Sequence, residues 1–202
     1  MSSRASNARR ATERPGIAVV DESSPGLPSG GVLYSLAATH TTRAELDRLV
    51  ATLPAVLKRK NPLHWEREGP KTRQLILNEL ASSEIRLVCA AGATSPRGQA
   101  NLRAELWREF ILPDATRHGV GQLVIESRSQ AEDEADGKTI RNWCRDRRVT
   151  MFDFSFARKS DPATWLADVA AGLWAETCLG RDSGLMQLLR AGRVRQATKL
   201  DR

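Results

Sequence analysis

Short apolar runs alternate with helix-periodic segments along almost the whole chain, which restricts it to folds in which helices cover a sheet. Ile17–Val20 is apolar and ends in Asp21-Glu22-Ser23. The breaker-rich Ser24–Gly31 then separates it from a second run, Val32–Thr39, so the chain opens with a hairpin and a long loop. Thr42 and Glu45 offer a capping box ahead of Leu46, Leu49, Val50 and Leu53, and Pro54 is expected to end or kink that helix. Gly69-Pro70 opens a helix to about Ser82, Ile85–Ala91 reads as a buried strand, and Ala93–Gly98 reads as a turn. Leu102, Leu106, Trp107, Phe110 and Ile111 mark an amphipathic helix, and Leu123–Ser127 a strand. The acidic stretch Glu132–Asp136 suits a helix N-terminal region that continues through Thr139–Arg147. Val149–Ala157 is a further expected strand, with Phe152, Phe154 and Phe156 on one face. Asp161-Pro162 then caps the best-defined helix, 162–179, and a last helix lies near Leu185–Leu189. The expectation is a three-layer α/β domain with a mixed central sheet.

A chain of 202 residues with 41% hydrophobic content and five tryptophans can bury one core. The expected division is a basic leader at 1–15, a single domain at 16–190 and a basic tail at 191–202. Formal charge is +7, and it sits at the ends, because basic and acidic residues between 15 and 180 cancel. Such ends add salt-sensitive attraction to phosphate backbones, or simply keep the protein in solution. Cys89, Cys144 and Cys178 form no CxxC pair, so neither a zinc ribbon nor a disulfide framework is indicated. The start lacks an apolar targeting core and no stretch has the length of a membrane span, so an intracellular, cytoplasmic protein is expected.

Several residues could carry chemistry, each with a plainer alternative. Asp21 stands where a strand's carboxyl end meets a loop, where open α/β sheets bind ligands, yet Asp-Glu-Ser-Ser-Pro-Gly is also good turn sequence. Asp168 shares a helix face with Thr164, Ala171, Gly172 and Ala175. Those small side chains leave room for another backbone, a metal or a substrate, or let the helix pack closely on the sheet with Asp168 accepting a hydrogen bond at the rim. Glu126 ends the run Leu123-Val124-Ile125 with Arg128 two residues on, which suits either a ligand or an ordinary ion pair. His64, Trp65 and Glu66 could ligate a metal or move a proton, or serve as structural hydrogen-bond partners.

Four stretches taken in order resemble a known family. They are Val19-Val20-Asp21-Glu22-Ser23, the hairpin strand Gly31–Thr39, Leu63-His64-Trp65-Glu66, and Leu166-Ala167-Asp168-Val169-Ala170-Ala171-Gly172. Over roughly residues 17–180 the chain is similar to the prokaryotic domain-of-unknown-function family numbered thirty-eight hundred, a ribonuclease H-like group. Two positions depart from its pattern: Trp165 replaces a common Gln, and Glu126 replaces a common Asp. The resemblance implies a ribonuclease H-like fold and a divalent-metal-dependent nuclease using Mg²⁺ or Mn²⁺. It implies a metal cluster of Asp21, Glu126 and Asp168, with Glu22 or Glu66 as a further ligand and His64 as a proton shuttle. It further implies Lys71, Arg73 and Arg128 as contacts to RNA or DNA, and a phage, plasmid or defence setting.

The competing expectation is a non-catalytic module of the same fold that binds nucleic acid or a protein partner, including a second copy of itself. An enzyme acting on another phosphate substrate is less well supported, because no GxxxxGK[ST] or GxGxxG element is present. No GxSxG elbow is present either.

Overall fold

The computed structural model describes residues 16–58, 62–181 and 183–200; the expected leader at 1–15 lies outside the described residues. Six strands form one sheet: β1 (Gly16–Ser23), β2 (Val32–Thr41), β3 (Arg86–Thr94), β4 (Val120–Glu126), β5 (Asp153–Ala157) and β6 (Val194–Leu200). Their order is β5-β4-β1-β2-β3-β6. β2 runs antiparallel to both β1 and β3, while β4 pairs parallel with β1, β5 with β4, and β6 with β3. The sheet is therefore mixed, and the three-layer expectation holds.

Among the described residues, seven α-helices cover it: α1 (Arg43–Leu57), α2 (Pro70–Ser82), α3 (Gln99–Leu106), α4 (Leu112–Arg117), α5 (Gln130–Arg147), α6 (Pro162–Cys178) and α7 (Leu185–Arg190). Because strand side chains alternate between faces, β1 feeds two cores at once. Ile17 and Val19 join a cluster with residues of α1, α2, α6 and α7. Ala18 and Val20 join a second with residues of α3, α4 and α5. The central strand is thus apolar at successive positions until Asp21, as strands covered on both faces are.

Several element ends differ from the sequence expectation for local reasons. Pro54 does not end α1, which continues to Leu57 and stops at a left-handed Lys58. The buried Leu49 and Leu53 hold that last turn in place despite the missing proline N–H. β5 starts at Asp153 because the residues after α5 finish that helix: Arg148 is left-handed and the Val149 N–H donates to the Cys144 carbonyl. The helix expected at Leu102–Ile111 runs on from α3 through a π-helical turn, Trp107–Ile111, into α4. Most consequential is the expected basic tail, because residues 194–200 form the edge strand β6. Its residues pair with Leu87–Gly92, and the Trp174 indole donates to the Thr198 carbonyl. A seven-residue strand whose backbone pairs with β3 and accepts a hydrogen bond from Trp174 of α6 suffices to fold a segment that charge alone would place in solvent.

At one end of the sheet, β2, α4 and β6 meet around His40. Arg195 donates to Asp114 at 2.9 Å and approaches His40 Nδ1 at 3.1 Å. Burial pulls the imidazole down from 6.5 to about 4, against the opposing pull of Asp114. His40 is therefore neutral at pH 7, and its 3.4 Å approach to Asp114 is no ion pair there; Arg195 is the cation that neutralises Asp114. Below pH 6.5 the unfolded chain takes up a proton that the folded one refuses, so stability falls with pH until about pH 4. The expected loss from this group between pH 7 and pH 4 is about 3 kcal/mol. Denaturant titrations across that range should show it for the wild type, and His40→Gln should lack this component.

Candidate active site

Asp21 is the first polar residue of β1 and lies buried beneath α6, at 3% exposure. Parallel pairing of Val20 with Ile125 carries the next residue of β4, Glu126, alongside Asp21 at the same sheet end. α6 crosses this end, fastened to β2 by a hydrogen bond from the Thr39 hydroxyl to the Leu166 carbonyl. That places Asp168 over the two strand carboxylates. Burial, then the charges of Glu126, Asp168 and Glu22, push the Asp21 carboxyl well above its usual range, with Lys159 opposing them. Asp168 is also raised by burial, while the Trp65 N–H and Lys159 pull it back.

Sequence reasoning overlooked Lys159, which is central to the electrostatics here. β5 lies beside β4 with Ala157 opposite Glu126, and the chain leaving β5 brings the lysine back over the cluster. Its ammonium stands 3.1 Å from Glu126 Oε1 and 3.7 Å from Asp168 Oδ1. Burial favours loss of its proton, but Asp21, Glu126 and Asp168 together outweigh that and hold it charged. One carboxylate oxygen of Asp21 and one of Glu126, Oδ2 and Oε2, are nevertheless buried without a hydrogen-bond partner.

The small-residue face of α6 is not open space. The Trp65 ring lies against Gly172, and the Trp65 N–H donates to Asp168 Oδ2 at 2.8 Å. Arg73 locks the tryptophan: it stacks on the indole at 4.5 Å, donates to the Trp65 carbonyl, and forks onto Glu176, which also accepts from the indole N–H. A methyl at position 172 would stand 2.5 Å from Trp65 Cδ1. Gly172→Ala is therefore expected to destabilise the fold by about 1–3 kcal/mol, as overpacking does. Chemical denaturation would measure it, and an unchanged midpoint would mean that Trp65 is free to move.

The structure brings some expected site residues together and draws others away. His64 and Glu66 line the same depression as Lys159 and Asp168, about 230 Å³ in volume. Ser23 donates to Glu66 across it at 3.4 Å. Glu22 also lines the depression, but its carboxylate is paired with Arg103 and with Arg128 at 3.5 Å. Arg128 also bridges Glu132 and Asp136. Arg73 and Arg128 are thus engaged with protein acids rather than presented to a ligand, while Lys71 is exposed on the first turn of α2. The strand alternation that separates Asp21 from Glu22 was legible in principle; the basic partners awaiting Glu22 were not.

Among the described residues, no three His, Cys, Asp or Glu side chains stand close enough together to hold a metal ion as they are. No described helix is long and apolar enough to cross a membrane.

No family model matches the sequence, and no curated protein matches it. Solved structures do match in shape. Ribonuclease H2 from Pyrococcus horikoshii OT3 covers 87% of this chain and 76% of its own, with a TM-score of 0.50 at 13% identity. Bst-RNase HIII, in complex with Mn²⁺, covers 83% of this chain and 56% of its own, with a TM-score of 0.45 at 12% identity. The chain therefore has a ribonuclease H-like α/β fold.

Proposed function

We propose that this protein is a divalent-metal-dependent nuclease that hydrolyses phosphodiester bonds, with Asp21, Glu126 and Asp168 as its acidic centre. The observation that carries the reading is the convergence of these three carboxylates from β1, β4 and α6, far apart in sequence, at one end of the sheet. The ribonuclease H-like fold is consistent with it. So is the resemblance to the prokaryotic family numbered thirty-eight hundred, which belongs to this proposal, as does a cytoplasmic setting.

The donor chemistry fits a hard divalent ion. Buried, unpartnered carboxylate oxygens are the ligands that Mg²⁺ and Mn²⁺ prefer, and no softer donor competes for the position. Asp21, Glu126 and Asp168 would hold the ion, with Glu66 at the rim as a further oxygen donor. A bound metal of this kind activates water and stabilises the leaving oxygen of a phosphodiester. Around it, the Trp65 N–H aims Asp168, and burial beneath α6 keeps bulk water from Asp21. His64 stands at the edge of the depression, where it would pass protons to solvent.

Cleavage of labelled RNA, DNA and RNA–DNA hybrid in Mn²⁺ tests the proposal. Wild-type cleavage that disappears with chelator and in Asp168→Ala is the expected result. A second reading, a nucleic-acid-binding module without chemistry, is favoured by Lys159, whose single charge already pairs with two of the three carboxylates. Metal-independent binding with no cleavage of any of the three substrates would establish that reading instead.

A further inference from the structure

The basic excess at the end of the chain is not absorbed by the acidic centre, and the structure gives it a different location. At the opposite end of the sheet, the start of β1, the end of β2 and the turn before β6 enclose a cavity of about 930 Å³. Arg43, Arg86, Arg193, Arg195 and His118 line it, and Glu84 is the only acid among its lining residues. Two of the arginines have unspent donors. Arg86 donates to its neighbour's carbonyl on Ile85, and Arg193 donates through Nε to the Ala81 carbonyl. Neither is in a salt bridge with a described carboxylate, whereas Arg195 is neutralised by Asp114 and Arg43 donates to Gln122.

The remaining walls suit an anion too. Thr42 caps the first turn of α1, a fifteen-residue helix whose start lines the cavity, so backbone N–H dipoles add to the guanidinium charge. His40, which also lines it, has a buried Nε2 without a protein partner, and Thr41 Oγ1 is likewise unpartnered. Two guanidinium groups outside any salt bridge among the described residues, although Arg193 feels the more distant Glu45, stand beside unpartnered polar atoms and match a doubly charged tetrahedral oxyanion, because Arg presents paired N–H groups in a fixed fork.

We propose that this cavity is a second, non-catalytic site that binds a phosphoryl group, held chiefly by Arg86 and Arg193. Along β1, Gly16 at the cavity lies five residues from Asp21, about 17 Å at the rise of a strand. The bound phosphate is therefore not the scissile one. Its source is either the backbone of a nucleic acid running past the sheet end or a free phosphate monoester, and the two differ in the test.

The experiment uses the full chain in EDTA, so it does not depend on catalysis by the acidic centre. Wild type and Arg86→Gln/Arg193→Gln are titrated with inorganic phosphate by calorimetry and with a short labelled single-stranded RNA by anisotropy at several salt concentrations. The expected result for a backbone site is RNA binding weakened about tenfold or more. The slope of log K against log salt should also fall by about 1.4, two contacts at about 0.7 each. Loss of inorganic phosphate binding with RNA binding intact identifies a free phosphate ligand. Binding of both probes as tight in the double variant as in the wild type overturns the proposal. Should the variant fail to fold, amide NMR of the wild type decides it. Shifts of the Gly16, Ala44 and Gly119 signals on adding phosphate support the site, and their absence overturns it.

Discussion

Asp21→Asn is expected to abolish metal-dependent cleavage and, at the same time, to make the protein more stable. The carboxyl is buried among like charges, and burial followed by Glu126, Asp168 and Glu22 is what raises its pKa. Asparagine keeps the oxygen that accepts the Glu22 N–H at 2.7 Å, so the local backbone retains its hydrogen bond. It removes the charge whose desolvation and repulsion oppose folding, and Lys159 keeps two other carboxylates to pair with. Active sites hold such groups at the expense of stability, and neutralising them commonly stabilises the fold. Losing a ligand that supplies several kcal/mol of transition-state stabilisation should lower the cleavage rate by about 10³-fold or more. Thermal melts without metal, paired with cleavage assays in Mn²⁺, read both effects. Retained cleavage would remove Asp21 from the centre, and a lowered melting temperature would mean that its charge is compensated in the fold.

Why Asp21 and Asp168 were visible in the sequence while Lys159 was not follows from what each position depends on. Asp21 ends an apolar strand and Asp168 interrupts an apolar helix, so each breaks a local pattern that one segment displays by itself. Lys159 breaks no pattern, because Arg158-Lys159-Ser160 reads as an ordinary polar connection. Its role exists only because β5 lies beside β4, a pairing between residues about thirty positions apart. The small-residue face of α6 read equally as room for a backbone, metal or substrate and as close packing on the sheet, and a tryptophan side chain fills it. The occupant is Trp65, held there by Arg73 of α2 and by Glu176 of α6 itself. Charge-based reading failed most at the C-terminal segment. The basic residues there are real, but backbone pairing along β3 folds them into the sheet.

The largest stability effect is expected at Arg103, a buried arginine that the sequence placed on an amphipathic helix without distinction. It is 2% exposed, donates to Asp136 through Nε and one terminal nitrogen, and uses the other for Glu22 and the Tyr34 hydroxyl. α3 and α5 are thereby joined to the Asp21 end of β1. Arg103→Met should remove the cation and leave Asp136 and Glu22 with Arg128 alone, at 3.4 and 3.5 Å, a change that costs about 3 kcal/mol or more. For a domain of this size that corresponds to a fall in melting temperature of about 10 °C. Adding Asp136→Leu to the same chain should recover much of the loss, because the stranded charge goes with it, and recovery would separate charge burial from lost packing. Glu22 then distinguishes its two possible roles. As a partner of Arg103 and Arg128, Glu22→Gln should lower stability while calorimetry still finds Mn²⁺ bound with wild-type affinity. Loss of Mn²⁺ binding in that variant, with Asp21 intact, would instead make Glu22 a ligand that leaves its arginines when the ion arrives.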